Sequence, residues 1–508
     1  MNRHALHVLE FSRALEVVGG FASSAAGARS VREREPVSLA STVEREQARA
    51  FAMAALVKHE IGFGMPPIPE AGNSLSRLRV DGTILSGQDL LGVAVLLRSS
   101  RLCSESLRDT RYPAISLALL EEYQAPLLVD RRVEDAIARV LTDDGDVRDD
   151  ASSTLRRVRR ELRGAEGELI ALLERLMHKL EPHHRVLDAS VTVRNGRYVI
   201  PVRREGARAV GGIVHDTSSS GATAFIEPPA AIDACNRIRE LEGEEAREVD
   251  RILLELTDAL RPHAAALKAS LDALVAVDDL YARARYAIAF ECHPAGVVEP
   301  GRGFEVRRGR HPLLSAQGIQ VVPFDLTMRD DEHTLLISGP NTGGKTVLLK
   351  SLGLLSMLLQ AGVPVPVAPG STVAVYDDVY ADVGDEQSIE ASLSTFSAHL
   401  RNLREVLESS NERSLVLIDE LGSGTDPLEG AALGGAILED LTRRAATTVA
   451  TTHLGALKKL ASEVAGVVNA SCSSTRRNSR QRTISRRAFP VARMASALRA
   501  AFDFPWMC

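Results

Sequence analysis

Aromatic side chains make up only 4% of the 508 residues, with a single Trp, too few to build extended platforms of rings interleaved with basic groups for base stacking. The five cysteines, Cys103, Cys235, Cys292, Cys472 and Cys508, form no CxxC pair and have no histidine at ligand spacing. That pattern points away from structural zinc and fits a reducing cytoplasm. Long apolar runs are missing too. The most apolar stretch, residues 353 to 367, is broken by Gln360, Pro364 and Pro366 and falls short of the roughly 20 residues of a membrane span. The start carries Arg3, His7, Glu10 and Arg13 where a secretion signal would be continuously apolar. A cytoplasmic protein without a membrane partner is expected. The net charge of −6 rules out a globally basic nucleic-acid binder, although it is uneven: from residue 464 onward eight Arg and one acidic residue give +7, leaving −13 for residues 1 to 463.

The length suggests roughly three domains. Residues 1 to 130 place apolar side chains at helical spacing, as in Leu6, Leu9, Phe11, Leu15 and Val18. Between 151 and 182 the spacing becomes a heptad seam through Leu155, Val158, Leu162, Ala165, Leu169, Leu172, Leu176 and Leu180, and a second such helix runs from 232 to about 260. The two can pair antiparallel. Between them, residues 191 to 228 alternate β-branched and polar residues and are punctuated by Asn195-Gly196, Gly211-Gly212 and Gly221, a β-rich tip on a helical stalk. Arg194, Arg197, Arg203, Arg204 and Arg208 give that tip a basic patch. It can meet phosphates without reading sequence, or it is a solvated hairpin face. From about 300 the pattern becomes α/β, with TLLISG (334 to 339) and SLVLIDE (414 to 420) reading as buried parallel strands.

After the first of these strands, Gly339-Pro340-Asn341-Thr342-Gly343-Gly344-Lys345-Thr346 matches the phosphate-loop pattern and precedes a helix-compatible run. The glycines let backbone N–H groups and the helix N-terminus face phosphates; Lys345 reaches the β and γ phosphates and Thr346 ligates Mg²⁺. Asp419 and Glu420 end the second strand, placing one carboxylate for the metal and one for the attacking water. His453 follows the apolar TTVATT run and is placed to sense the γ-phosphate. ATP and Mg²⁺ are the expected ligands.

The order GPNTGGKT, Ser394-Thr395-Phe396, LVLIDELGSGT and TTHLGAL, with Arg310-His311-Pro312 upstream, resembles the ATPase domain of MutS proteins, a branch of the ABC ATPases. Residues 383 to 400 (VGDEQSIEASLSTFSAHL) and 194 to 228 resemble, more narrowly, the type II MutS paralogues, over roughly residues 1 to 470. The resemblance implies a multidomain α + α/β protein. Residues 1–130 form a helical core, 131–190 a lever and coiled-coil helix, 191–229 a β-rich clamp, 230–298 the returning lever helices, and 299–470 a P-loop ABC-type ATPase domain. It also implies a homodimer in which Ser394 and Thr395 contact the nucleotide held by the partner's phosphate loop. Family partners are branched or recombination-intermediate DNA, whose clamping suppresses homologous recombination, or the ribosome and its RNA, where stalled particles are split. A plain transporter ATPase would leave the interrupted stalk unexplained.

Residues 471–508 depart from the family. They are basic, contain no Lys, and are too short for the carboxy-terminal nuclease domain that family members carry. The expectation is a frameshifted or truncated tail without nuclease activity; the alternative is a genuine basic tail that binds nucleic acid.

Overall fold

The computed structural model describes residues 1–339, 344–384, 392–473 and 488–490, with backbone only for 392–398 and after Ser471. The remainder of the expected basic tail lies outside the described residues. The helices begin with α1 (Arg3–Val8), α2 (Phe11–Gly19), α3 (Ala25–Arg32), α4 (Ala40–Lys58), α5 (Gly72–Leu78) and α6 (Gly87–Leu107). They continue through α7 (Ala114–Gln124), α8 (Arg131–Val140), α9 (Ser153–Lys179), α10 (Ala207–Val210), α11 (Ile232–Leu260) and α12 (Ala264–Ala289). The last are α13 (Pro312–Ala316), α14 (Lys345–Gln360), α15 (Ser392–Ser409), α16 (Pro427–Arg443) and α17 (Leu460–Glu463). Among the described residues no helix is long and apolar enough to cross a membrane.

The chain divides into two compact units, one of residues 69–101 and 128–271, the other of residues 1–68, 102–127 and 272–508. In the first unit, β1 (Thr192–Arg194), β2 (Arg197–Arg203), β3 (Ile213–Thr217) and β4 (Thr223–Glu227) form an antiparallel sheet in the order β1-β2-β4-β3. Arg194 pairs with Arg197 across a two-residue hairpin whose Asn195 and Gly196 have φ of 49° and 70°, the left-handed pair that such a turn needs. The helices α9 and α11 lie side by side and run antiparallel. Ser152 donates to Glu248 at 2.7 Å and Arg159 to Glu245 at 2.7 Å, while Arg237, early in α11, meets Glu161 at 3.3 Å. Leu169, Leu173, Cys235 and Ile238 from the two helices share a core with Ile200, Val202 and Ile226 of the sheet. In α9 it is Leu173, not the expected Leu172, that is buried, because a straight helix of 3.6 residues per turn drifts off a strict heptad and a step of four from Leu169 lands on 173.

The second unit holds both remaining sheets. The strands β5 (Gly296–Val298), β6 (Phe304–Gly309), β7 (Phe324–Met328) and β9 (Thr372–Ala374) form one, in the order β5-β9-β6-β7. The other is parallel throughout and ordered β10-β11-β12-β8-β13-β14, from β8 (Thr334–Ser338), β10 (Asp378–Asp382), β11 (Ser414–Ile418), β12 (Thr447–Thr452), β13 (Val467–Ser473) and β14 (Ala488–Pro490). Its central strands are buried on both faces, which is why they read as unbroken apolar runs. Alternation sorts the two faces. Leu335, Ile337, Leu415, Leu417 and Val449 meet α14 and the amino-terminal helices α1 and α2 in one core. Leu336, Val416, Ile418 and Ala450 meet α15 and α16 in another. Full burial of each strand thus holds its carboxyl end in place, and it is there that the sequence motifs fall.

Candidate active site

Register brings the motif residues to a single edge of the parallel sheet. Ser338 of β8 pairs with Thr452 of β12, Ala450 pairs with Ile418 of β11, and Ile418 with Asp382 of β10. Gly339, Asp419, Glu420 and His453 therefore leave the sheet on the same side, the side where open α/β sheets bind ligands.

Gly339 has φ 155° and Gly344, which caps α14, has φ 74°, both conformations that favour glycine. Pro340, Asn341, Thr342 and Gly343 lie outside the described residues. Lys345 opens α14, is 3% exposed, and donates from Nζ to the carbonyl of Gly339, folding back along the loop. Thr346 follows it, half-buried. A buried ammonium at a helix N-terminus faces the positive end of the helix dipole, an arrangement that polyphosphate would relieve. With the Thr346 hydroxyl and the Asp419 carboxylate as oxygen donors, the residues present fit a Mg²⁺–nucleotide.

On the neighbouring strand a single threonine fixes both carboxylates. Thr451, fully buried, donates its hydroxyl to Asp419 Oδ1 and accepts the Glu420 N–H at 2.8 Å. The Asp419 N–H donates to the Asp382 carbonyl at 2.9 Å, and the Leu421 N–H to the Thr451 carbonyl at 2.8 Å. Glu420 is held at φ 51°, a left-handed conformation that costs a non-glycine residue on the order of 1–3 kcal/mol. Glu420 is half-buried, while Asp419 is only 7% exposed. His453 is exposed just beyond β12.

Ser394 and Thr395 fall in the first turn of α15, where only the backbone is described. Lower on that helix, His399 Nδ1 lies 2.6 Å from Asp382 Oδ2. The closeness of this carboxylate raises the His399 pKa against the opposing effect of burial, with Asp419 and Glu420 adding to the rise. Sequence reasoning does not single out Thr451, Asp382 or His399. It marks only the apolar run that contains Thr451 and the segment that contains His399, because the partners of all three are set by strand register.

The arginines of the antiparallel sheet divide into two groups. Arg194 stacks over the Phe225 ring at 4.6 Å and meets Asp216 at 3.3 Å; Arg197 meets Glu227 at 3.3 Å and Asn236 at 2.9 Å. Arg203, Arg204 and Arg208 are exposed and have no ion pair among the described residues.

Residues 335–492 match the model of MutS domain V. The chain is 60% identical over 471 residues to the endonuclease MutS2 of Gemmatimonas aurantiaca, covering 93% of this chain and 58% of that protein. It is 41% identical over 472 residues to the endonuclease MutS2 of a Geobacillus species, and 38% identical over 471 residues to the putative endonuclease MutS2 of Bacillus subtilis. In each case 93% of this chain and 60% of the relative are covered. The chain thus spans less than two thirds of the length of the curated relatives it matches. On these matches the chain belongs to the MutS2 family.

Proposed function

We propose that this chain is a DNA-binding ATPase that works as a homodimer, binding and hydrolysing ATP at the carboxyl edge of the parallel sheet. The observation that carries the reading is the buried Lys345 ammonium folded back on Gly339 at the N-terminus of α14, on the same sheet edge as Asp419 and Glu420. Lys345 takes the β and γ phosphates, and Thr346 and Asp419 hold Mg²⁺, which when bound neutralises phosphate charge during transfer. Glu420 orients the attacking water and accepts its proton; Thr451 keeps both carboxylates in register, and His453 faces the γ-phosphate. Ser394 and Thr395 complete the partner's site, so that ATP closes the dimer. The sheet of β1 to β4 acts as the clamp, with Arg203, Arg204 and Arg208 gripping phosphodiester backbone by charge. Closure on branched or recombination-intermediate DNA is the step by which such a clamp suppresses recombination.

The test is retention by the Glu420→Gln form, which keeps ATP without turning it over. Branched DNA retained in an ATP-dependent manner is expected. Ribosomal RNA retained in its place, or DNA retention indifferent to ATP, overturns the reading.

A further inference from the structure

Asp382, the last residue of β10, joins two structures that the proposed mechanism treats separately. Its backbone carbonyl accepts the N–H of Asp419, the carboxylate assigned to Mg²⁺, at 2.9 Å. Its side chain meets α15, with Oδ2 2.6 Å from His399 Nδ1 and Oδ1 accepting from Asn402 Nδ2 at 3.4 Å. His399 stands one helical turn after Thr395, in the helix whose first turn carries Ser394 and Thr395. The metal-side strand and the helix that serves the partner therefore meet on one residue.

An exposed ion pair would be worth little and would transmit nothing. This one is different in two respects. The Asp382 side chain is 7% exposed and His399 28%, so the pair is shielded from solvent. At 2.6 Å between Oδ2 and Nδ1 the two side chains are in direct contact. The attraction falls with separation, so a displacement of either element changes it. Among the described residues, the charged groups acting on His399 are Asp382, Asp419 and Glu420, all at the carboxyl edge.

We propose that the Asp382–His399 pair is the intramolecular link that couples the nucleotide site built on Lys345 and Asp419 of one chain to the end of α15 that completes the partner's site. The inference rests on the ATPase and dimer reading above. When nucleotide draws on Asp419, the displacement passes through its N–H to Asp382 and from the Asp382 carboxylate to α15. By linkage the partner's nucleotide acts back along the same path, so the two sites of a dimer report on each other. Asp382 and His399 are positioning residues: neither is assigned a place against the reacting atoms.

The test uses the full chain and four proteins: wild type, Asp382→Asn, His399→Gln and the double variant. A fluorescent ATP analogue measures affinity, and steady-state turnover measures kcat and the shape of the ATP dependence. Affinity is expected to stay within about twofold while kcat falls about tenfold in each single variant. The double variant loses no more than either single, because the pair acts as one unit. The rate rises sigmoidally with ATP in the wild type and hyperbolically in the variants. Unchanged kcat in both single variants, additive losses in the double, loss of affinity parallel to loss of turnover, or a hyperbolic wild type each overturns the link alone. A wild-type chain that binds no ATP overturns the ATPase reading and the link with it.

Discussion

Replacing Arg283 by methionine removes one cation from a charge network at the far end of α14, away from the phosphate loop. Arg283 is 1% exposed; Nε donates to Asp279 Oδ1 at 2.8 Å, Nη1 donates to the Gly362 carbonyl at 2.8 Å, and Glu46 Oε2 lies 3.1 Å away. Arg34 reaches the same two carboxylates, at 2.9 Å and 2.7 Å, and donates to the Ala361 carbonyl at 2.6 Å. Arg34 and Arg283 thus bridge the two carboxylates and satisfy two carbonyls at the carboxyl end of the helix, and Arg49 also meets Glu46, at 3.0 Å. With methionine, Asp279 keeps only Arg34 among these cations, Glu46 keeps Arg34 and Arg49, and the Gly362 carbonyl is deprived of its charged donor. Breaking a buried pair from one side costs about 3–5 kcal/mol. For a unit of this size that lowers the thermal midpoint by about 4–7 °C. The pH dependence has a definite sign. Burial alone would raise the Glu46 pKa, yet the charges of Arg283 and Arg34 outweigh it and hold the group at about 2 instead of 4.5. A depressed carboxylate contributes its stability above its unfolded value and loses it as pH falls through its folded value. The gap between wild type and Arg283→Met should therefore be full at pH 7 and narrow between 4.5 and about 2. Calorimetry or thermal circular dichroism at both ends of that window reads it. A variant within about 1 kcal/mol of wild type at neutral pH, or a gap unchanged at pH 3, would refute the assignment of these charges as an interdependent network.

The other predictions concern the two proposed activities. Glu420→Gln should keep ATP affinity while turnover falls by about a hundredfold or more, as expected when a group acts only in the transition state; equal losses in both would place Glu420 in ground-state binding. Removing Arg203, Arg204 and Arg208 together should weaken DNA binding and lower the slope of log affinity against log salt by roughly 2–3, near 0.9 for each phosphate no longer neutralised. Arg194→Ala with Arg197→Ala should leave that slope unchanged and destabilise the antiparallel sheet, since both guanidiniums are engaged within their own unit. A slope that responds to the second set and not the first would reverse the assignment.

The parts legible in the sequence are those whose physics is local. Buried parallel strands announce themselves as short apolar runs, and SLVLI and TLLIS are β11 and β8 for that reason. The glycines at 339 and 344 sit at the positive φ values that a loop between strand and helix needs. Asn195-Gly196 marks the hairpin between β1 and β2 because a two-residue turn admits few other residues. What stays hidden depends on residues distant in the chain. Asp382 and His399 look like an acidic strand end and a helical histidine until the pairing of β10 with β11 sets Asp382 beside Asp419. Arg34, Glu46, Asp279 and Arg283 read as ordinary helix-surface charges, and only packing shows them buried together. Nor does spacing show that Leu9, Phe11 and Leu15 share a core with Leu335, Leu349 and Leu417.

The central claim is that the carboxyl edge of the parallel sheet holds ATP through Lys345. Titration calorimetry of ATP with Mg²⁺ into the full chain and into Lys345→Ala tests it most directly. The account predicts one nucleotide per wild-type chain and at least a tenfold loss of affinity, about 1.4 kcal/mol, when the buried ammonium is removed. Equal affinity in the two proteins would contradict it.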